Sequence, residues 1–143
     1  MKSLLGSWQL WAAGSAIFAA LTAIFAKIGI EHVNSDFATF IRTVVIIVVL
    51  AGVLTITGEW QPLGGISTRT YVFLGLSGLA TGASWLCYFH SLQIGEASRV
   101  QPVDKLSVVL VAIFAVVFLG ERLKALHWAG IALVTVGAVM LAL

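Results

Sequence analysis

Charge is scarce in this chain. Eight Lys or Arg and six Asp or Glu make up 10% of its 143 residues, against 60% hydrophobic residues. An ordinary soluble chain carries about 25% charged residues. So few charges cannot dress a water-facing surface, and a mean hydropathy of +1.07 excludes the soluble globular class. Cysteine is nearly absent as well. Cys87 stands alone, which excludes an intramolecular disulfide and reads as a small packing residue inside a span. The constellations that carry enzyme chemistry are also missing: no phosphate-cradling Gly-rich loop, no His-Glu-x-x-His and no Gly-x-Ser-x-Gly. His90 has no second histidine or carboxylate at ligand spacing, so neither a metal nor any other cofactor is expected. The few basic residues form no nucleic-acid patch.

What remains is a series of long apolar runs. Reading for lengths of about 20 residues, the amount needed to cross a bilayer, predicts spans over 8–28, 36–57, 71–92, 97–119 and 126–143. The expectation is an all-α membrane protein, with residues 1–143 forming a single transmembrane domain. Met1 and Lys2 precede an apolar stretch too long for a signal peptide, so that stretch reads as the first span. Polar punctuation supports the breaks. Asn34-Ser35-Asp36 caps the second helix, Pro62 to Gly65 with Ser67 and Thr68 marks the longest loop, and Gly95-Glu96 and Gly120-Glu121 mark turns.

Five spans put the termini on opposite sides of the membrane. Lys2, Arg69, Arg122 and Lys124 then lie on the N-terminal side and Lys27, Arg42, Arg99 and Lys105 on the other. Discounting Arg42 and Lys105 as intramembrane leaves a mild preference for a cytoplasmic N-terminus, a weak signal of the kind expected of a chain that inserts both ways up. Trp8, Trp11, Trp60, Tyr71 and Trp128 read as an interfacial belt.

The costly residues are those inside spans. Arg42 and Asp104 each lie about 9 Å into a helix at 1.5 Å per residue. Lys27 and Arg99, near helix ends, read as reaching the headgroups. Asp104 has too short a side chain for that and needs a cation or water inside the protein, with Arg42 and Lys105 as candidates. Pro102 brings no N–H and leaves the Ser98 carbonyl without its helical donor, so free carbonyls, a carboxylate and an ammonium gather in one stretch. Transporters build substrate and ion sites from such broken helices. In the third span Ser77, Thr81, Ser84, Tyr88 and Ser91 recur on one face, either as glue between helices or as the wall of a hydrated cavity. Gly130 and Gly137 in the fifth span share nearly one face and suit a close helix contact, within the chain or with a second copy.

The segment LSGLATGASWLCYFHSLQIGEASRVQPVDKLSVVLVAIFAVVFLGERL over 76–123, with FAALTAIFAKIGIEHVNSDFATFIRT over 18–43, resembles the EamA domain of the drug/metabolite transporter superfamily. The elements carrying the resemblance are the small-residue third helix, Ala97, Ser98 and Pro102, and the Gly120-Glu121 pair. The resemblance implies five helices forming one EamA-type repeat of a polytopic carrier of small metabolites, a fold in which two such repeats of opposite topology enclose one path. One repeat needs a partner half. Small multidrug exporters, a related group, use an acid in the first helix, and 8–26 contains none.

The expected function is secondary transport of a small anionic or zwitterionic metabolite by alternating access, as an antiparallel homodimer in the bacterial cytoplasmic membrane. The candidate substrate-binding residues are Arg42, Ser84, Trp85, Tyr88 and Lys105, with Asp104 coupling transport to a proton. An alternative is a non-autonomous membrane subunit that works only with a different chain in an export or lipid-modifying system.

Overall fold

The computed structural model describes residues 7–143; Lys2, counted above among the basic residues, lies outside them. Among the described residues every regular element is a helix. The first, α1, is Trp8–Gly29 and carries no charge before Lys27. α2, Ser35–Thr57, starts as its sequence demands: the Asn34 side chain accepts the N–H groups of Asp36 at 2.9 Å and Phe37 at 3.2 Å. Those two bonds satisfy donors that a helix start leaves open. Asp36 adds a negative charge at the positive end of the helix.

α2 stops on Gly58, whose φ of 69° is left-handed and suits glycine, and the N–H groups of Gly58 and Glu59 turn back to the Leu54 carbonyl. A short 3-10 turn, Leu63–Gly65, follows and is fastened to the next helix by the Tyr71 hydroxyl, which donates to the Leu63 carbonyl at 2.8 Å. α3 is Thr68–Ile94, and the Ser67 hydroxyl accepts the Thr70 N–H at its start.

The fourth span departs from the single helix expected over 97–119. It consists of α4, Ala97–Asp104, and α5, Ser107–Phe118, with Lys105 and Leu106 between them. The cause begins at Pro102, which offers no N–H to the carbonyl four residues earlier and crowds it with its ring. Past the proline the backbone tightens: the N–H groups of Leu106, Val108 and Val109 bond to carbonyls three residues back, Val103, Lys105 and Leu106. The carbonyls of Pro102 and Asp104 thereby lose the donors that an unbroken helix would have given them. α5 stops at Phe118 with Leu119 as its cap, and Gly120 follows, again at a left-handed φ of 68°, with the Glu121 N–H reaching the Ala115 carbonyl. α2 and α5 therefore share one stop signal, a left-handed glycine followed by glutamate. α6, Ala125–Ala142, closes the chain.

The five spans are Trp8–Gly29, Ser35–Thr57, Thr68–Ile94, Ala97–Phe118 and Ala125–Ala142, each long and apolar enough to cross a membrane. They fall into two compact units. One holds α1 with α4, α5 and α6. Within it α4 packs along α6, where Ala138 is buried, and the Lys27 ammonium donates to the Gly95 carbonyl at 2.8 Å. The other unit is the α2–α3 hairpin, in which Ile30, Ser35, Thr39, Phe89 and Leu92 are buried and the Gln93 amide donates to the Val33 carbonyl. Elsewhere apolar side chains are mostly exposed, as a lipid-facing surface requires, and so are Trp8, Trp11, Trp60, Tyr71 and Trp128.

Substituting Pro102→Ala returns an N–H to the Ser98 carbonyl. A proline in a helix interior is about 3 kcal/mol less favourable than alanine, so the variant in detergent is expected to unfold at a higher temperature, by up to that free energy. An unchanged or lower midpoint would assign the break to another cause.

Candidate functional site

The residues singled out for binding meet the structure in two groups, one in each unit. In the α2–α3 hairpin, Arg42 is half-buried and lies against two rings of the facing helix. Its Cζ sits 4.0 Å from the centroid of Trp85 and 5.3 Å from that of Phe89. Trp85 and Phe89 are four residues apart on α3, so they stand one turn above another on one face. A guanidinium over an aromatic face gains about 0.5–1 kcal/mol when exposed and about 2 or more when desolvated. Phe89 is held in turn: it is buried and meets Tyr88 edge-on with centroids 6.2 Å apart.

Both rings lie on one face of α3, and the guanidinium rests against them. Among the described residues no hydrogen bond or ion pair reaches the guanidinium; the ion pairs there are Arg99–Glu96 and Lys105–Asp104. Neighbouring hydroxyls on α2 are committed to their own helix, Thr39 to the Ser35 carbonyl and Thr43 to the Thr39 carbonyl, both at 2.8 Å. A guanidinium offers five N–H donors and no acceptor, the complement of an anion. A carboxylate takes two of them at once in the bidentate geometry that guanidinium favours.

Tyr88 lies close enough to Arg42 to interact with it electrostatically. Ser84 is exposed on α3 beside Trp85. Of the hydroxyl stripe to which both belong, Thr81 donates to the Ser77 carbonyl and Ser91 to the Cys87 carbonyl, so these two are turned onto their own backbone. Phe89 is the member that the stripe pattern missed. The signal for it was present, since Trp85 and Phe89 are separated by the four residues that align side chains on a helix.

The other unit carries the Asp104–Lys105 pair at the helix break. The Lys105 ammonium donates to the Asp104 carboxylate at 3.1 Å, and both side chains are partly exposed. The cation that Asp104 requires is its sequence neighbour. The break supplies the room, because Lys105 lies between α4 and α5 and its N–H caps α4. The pair is neutral as it stands, and protonating Asp104 would release a free ammonium. Arg99, expected to reach the headgroups, pairs with Glu96 at 3.5 Å at the start of α4.

The stacking of Arg42 on Trp85 can be measured by a double-mutant cycle with Arg42→Met and Trp85→Leu. A coupling of about 1–2 kcal/mol in thermal unfolding is expected for a partly desolvated cation–π pair. Additive single effects would remove Trp85 as the residue that holds the guanidinium.

The chain matches the EamA-like transporter family over residues 6–143. A Sinorhizobium protein named "Uncharacterized transporter in cobO 3'region" is 60% identical over 136 residues, covering 95% of this chain and 96% of that protein. A Vibrio cholerae serotype O1 protein named "Uncharacterized transporter" is 24% identical over 135 residues, 93% of this chain, which spans only 42% of that longer relative. No solved structure matches the chain. Five apolar spans, a broken fourth helix with a carboxylate at its break and the match over nearly the whole length agree: the chain is an integral membrane protein that belongs to the EamA-like transporter family.

Proposed function

We propose that this protein carries a small anionic or zwitterionic metabolite across the bacterial cytoplasmic membrane by alternating access, as an antiparallel homodimer of one five-helix domain. Arg42, Ser84, Trp85, Tyr88 and Lys105 bind the substrate, and Asp104 couples its movement to a proton. The observation that carries the reading is the Arg42 guanidinium, which rests against the rings of Trp85 and Phe89 inside an apolar helix hairpin and, among the described residues, makes no hydrogen bond or ion pair. An intramembrane charge without a partner is a functional feature by default, since insertion scales put its cost at about 2.5–3.5 kcal/mol near the bilayer centre. Asp104 and Lys105 supply the switch: a proton on Asp104 ends its attraction for Lys105, and the freed ammonium becomes a second holder for an anion.

The homodimer is supported by the relatives. The Sinorhizobium transporter is matched over 96% of its length by this one repeat, while the Vibrio cholerae transporter is more than twice the matched length. Two copies in opposite orientations would supply the pair of inverted repeats that alternating access uses. The bacterial origin of both relatives supports the cytoplasmic membrane as the location. A Cβ at Gly130 or Gly137 of α6 would meet nothing within 4 Å in the chain, which leaves both open to a second copy.

In proteoliposomes on a solid-supported membrane, jumps in organic-acid or amino-acid concentration are expected to evoke currents that Arg42→Gln abolishes. A current that survives the substitution would remove Arg42 from the binding site. With a substrate so identified, Asp104→Asn keeps exchange but loses accumulation driven by a pH gradient. Gradient-driven accumulation retained in the folded variant would eliminate Asp104 as the coupling residue. Replacing Gly130 and Gly137 together with Leu is expected to deplete the dimer in detergent; an undiminished dimer would move the interface away from this face of α6.

A further inference from the structure

We infer that the loop joining α2 to α3 holds the headgroup of a phospholipid that carries a primary ammonium, through the carboxylate of Glu59 and the ring of Trp60. The loop borders an open cavity of about 770 Å³ lined by Leu54, Gly58, Glu59, Trp60, Gln61 and Ile66. α2 crosses the membrane as far as Thr57 and α3 enters it again from Thr68, so a cavity between those limits opens at the level of the headgroups. None of the substrate residues proposed above lines it.

The walls of this cavity are fixed from both ends. At the end of α2 the N–H groups of Gly58 and Glu59 turn back to the Leu54 carbonyl, and the indole N–H of Trp60 donates to the Thr55 hydroxyl at 3.2 Å. Toward α3 the Leu63 carbonyl accepts both the Ile66 N–H and the Tyr71 hydroxyl. The braced loop presents two side chains with acceptor oxygens to the cavity, Glu59 and Gln61, and among the described residues neither side chain makes a hydrogen bond or ion pair. Arg69, the basic residue at the start of α3, does not take up Glu59; its guanidinium lies 5.8 Å from the Phe73 ring.

A primary ammonium fits these walls. It donates up to three hydrogen bonds, which the carboxylate and the amide oxygen accept, and its charge is attracted both by Glu59 and by the face of Trp60. A choline group has no N–H to donate. A glycerol headgroup brings only the negative charge of its phosphate, which Glu59 repels. Leu54 and Ile66, both half-buried, offer apolar wall to the part of the lipid nearer the chains.

Native mass spectrometry of the intact protein, incubated in detergent with equal amounts of phosphatidylethanolamine, phosphatidylcholine and phosphatidylglycerol bearing the same acyl chains, tests this. An exposed ion pair with a cation–π contact is modest, so retention of phosphatidylethanolamine is expected to exceed that of either other lipid by about threefold. Glu59→Gln, which keeps the size and one acceptor but removes the charge, should abolish the preference, and Trp60→Leu should reduce it. Equal retention of the three lipids by the wild-type protein, or a preference that survives in Glu59→Gln, would overturn the inference. So would a preference for phosphatidylcholine, which needs the ring but not the hydrogen bonds. A dimer lost in Glu59→Gln with the retained lipid unchanged would assign the carboxylate to a second copy instead. The wild-type comparison requires no variant to fold.

Discussion

A guanidinium inside an apolar span must be stabilised by something, and the α2–α3 hairpin stabilises Arg42 with rings rather than with a carboxylate. The choice matters because the two partners leave different residues of charge. A carboxylate would neutralise the arginine and consume its donors, closing the site. Aromatic faces attract the cation through their quadrupole, yet do not neutralise its charge or take its N–H donors. The same contact fixes the guanidinium against the hairpin instead of letting it extend to the headgroups. Packing beneath it is consistent with this role, since Phe89 and Leu92 are among the few side chains fully withdrawn from the surface.

The second constraint is that a membrane interior contains no water for backbone groups that lack partners. Irregular backbone at that depth is tolerated only where protein or a water-filled cavity meets it. The tightened turn between α4 and α5 turns the carbonyls of Pro102 and Asp104 away from their ordinary donors, and it does so beside a carboxylate and an ammonium. Those groups place the break toward protein or water rather than toward lipid. By contrast α5 beyond the break is Ser107 followed by eleven apolar residues, the composition of a segment that faces hydrocarbon. One span thus changes character at one residue, and the change falls at Lys105.

Much of this was legible in the sequence, and the exceptions have physical causes. Run length alone located five spans, because a bilayer imposes a minimum on apolar stretches. Asn34 announced the start of α2 by side-chain chemistry, and Gly120-Glu121 marked a stop whose left-handed glycine the structure displays. Arg42, Trp85 and Tyr88 were named as binding residues, but their grouping depends on how α2 and α3 are rotated about their axes, which spacing within a single helix does not encode. Phe89 was passed over because a polar stripe drew attention to the hydroxyls, two of which turn out to bond their own helix. The proline left the Ser98 carbonyl as the expected weak point; the helix is interrupted three residues past Pro102, at Lys105, where a run of three-residue bonds follows. Lys27 was read by its distance from a helix end, and its bond to the Gly95 carbonyl, sixty-eight residues away, is a tertiary contact that such a reading does not encode.

In the proposed reading the two charged groups divide the labour that a carrier requires. Asp104 with Lys105 is neutral at rest, whereas Arg42 keeps a net positive charge. Enclosing an unpaired cation away from water is expensive, several kcal/mol for an ion in a low-dielectric interior. In the proposed reading an empty site therefore resists occlusion, and a bound carboxylate removes the obstacle by making the complex neutral. The substrate then contributes differential stabilisation of the occluded state, the sole means by which a ligand shifts a conformational equilibrium. Such a carrier moves readily when loaded and poorly when empty, which favours exchange of one anion for another unless a second charge compensates Arg42. A proton on Asp104 does not supply that compensation. It adds positive charge by releasing Lys105, and so it raises the demand for an anion, tying protonation to loading rather than to the return of the empty carrier.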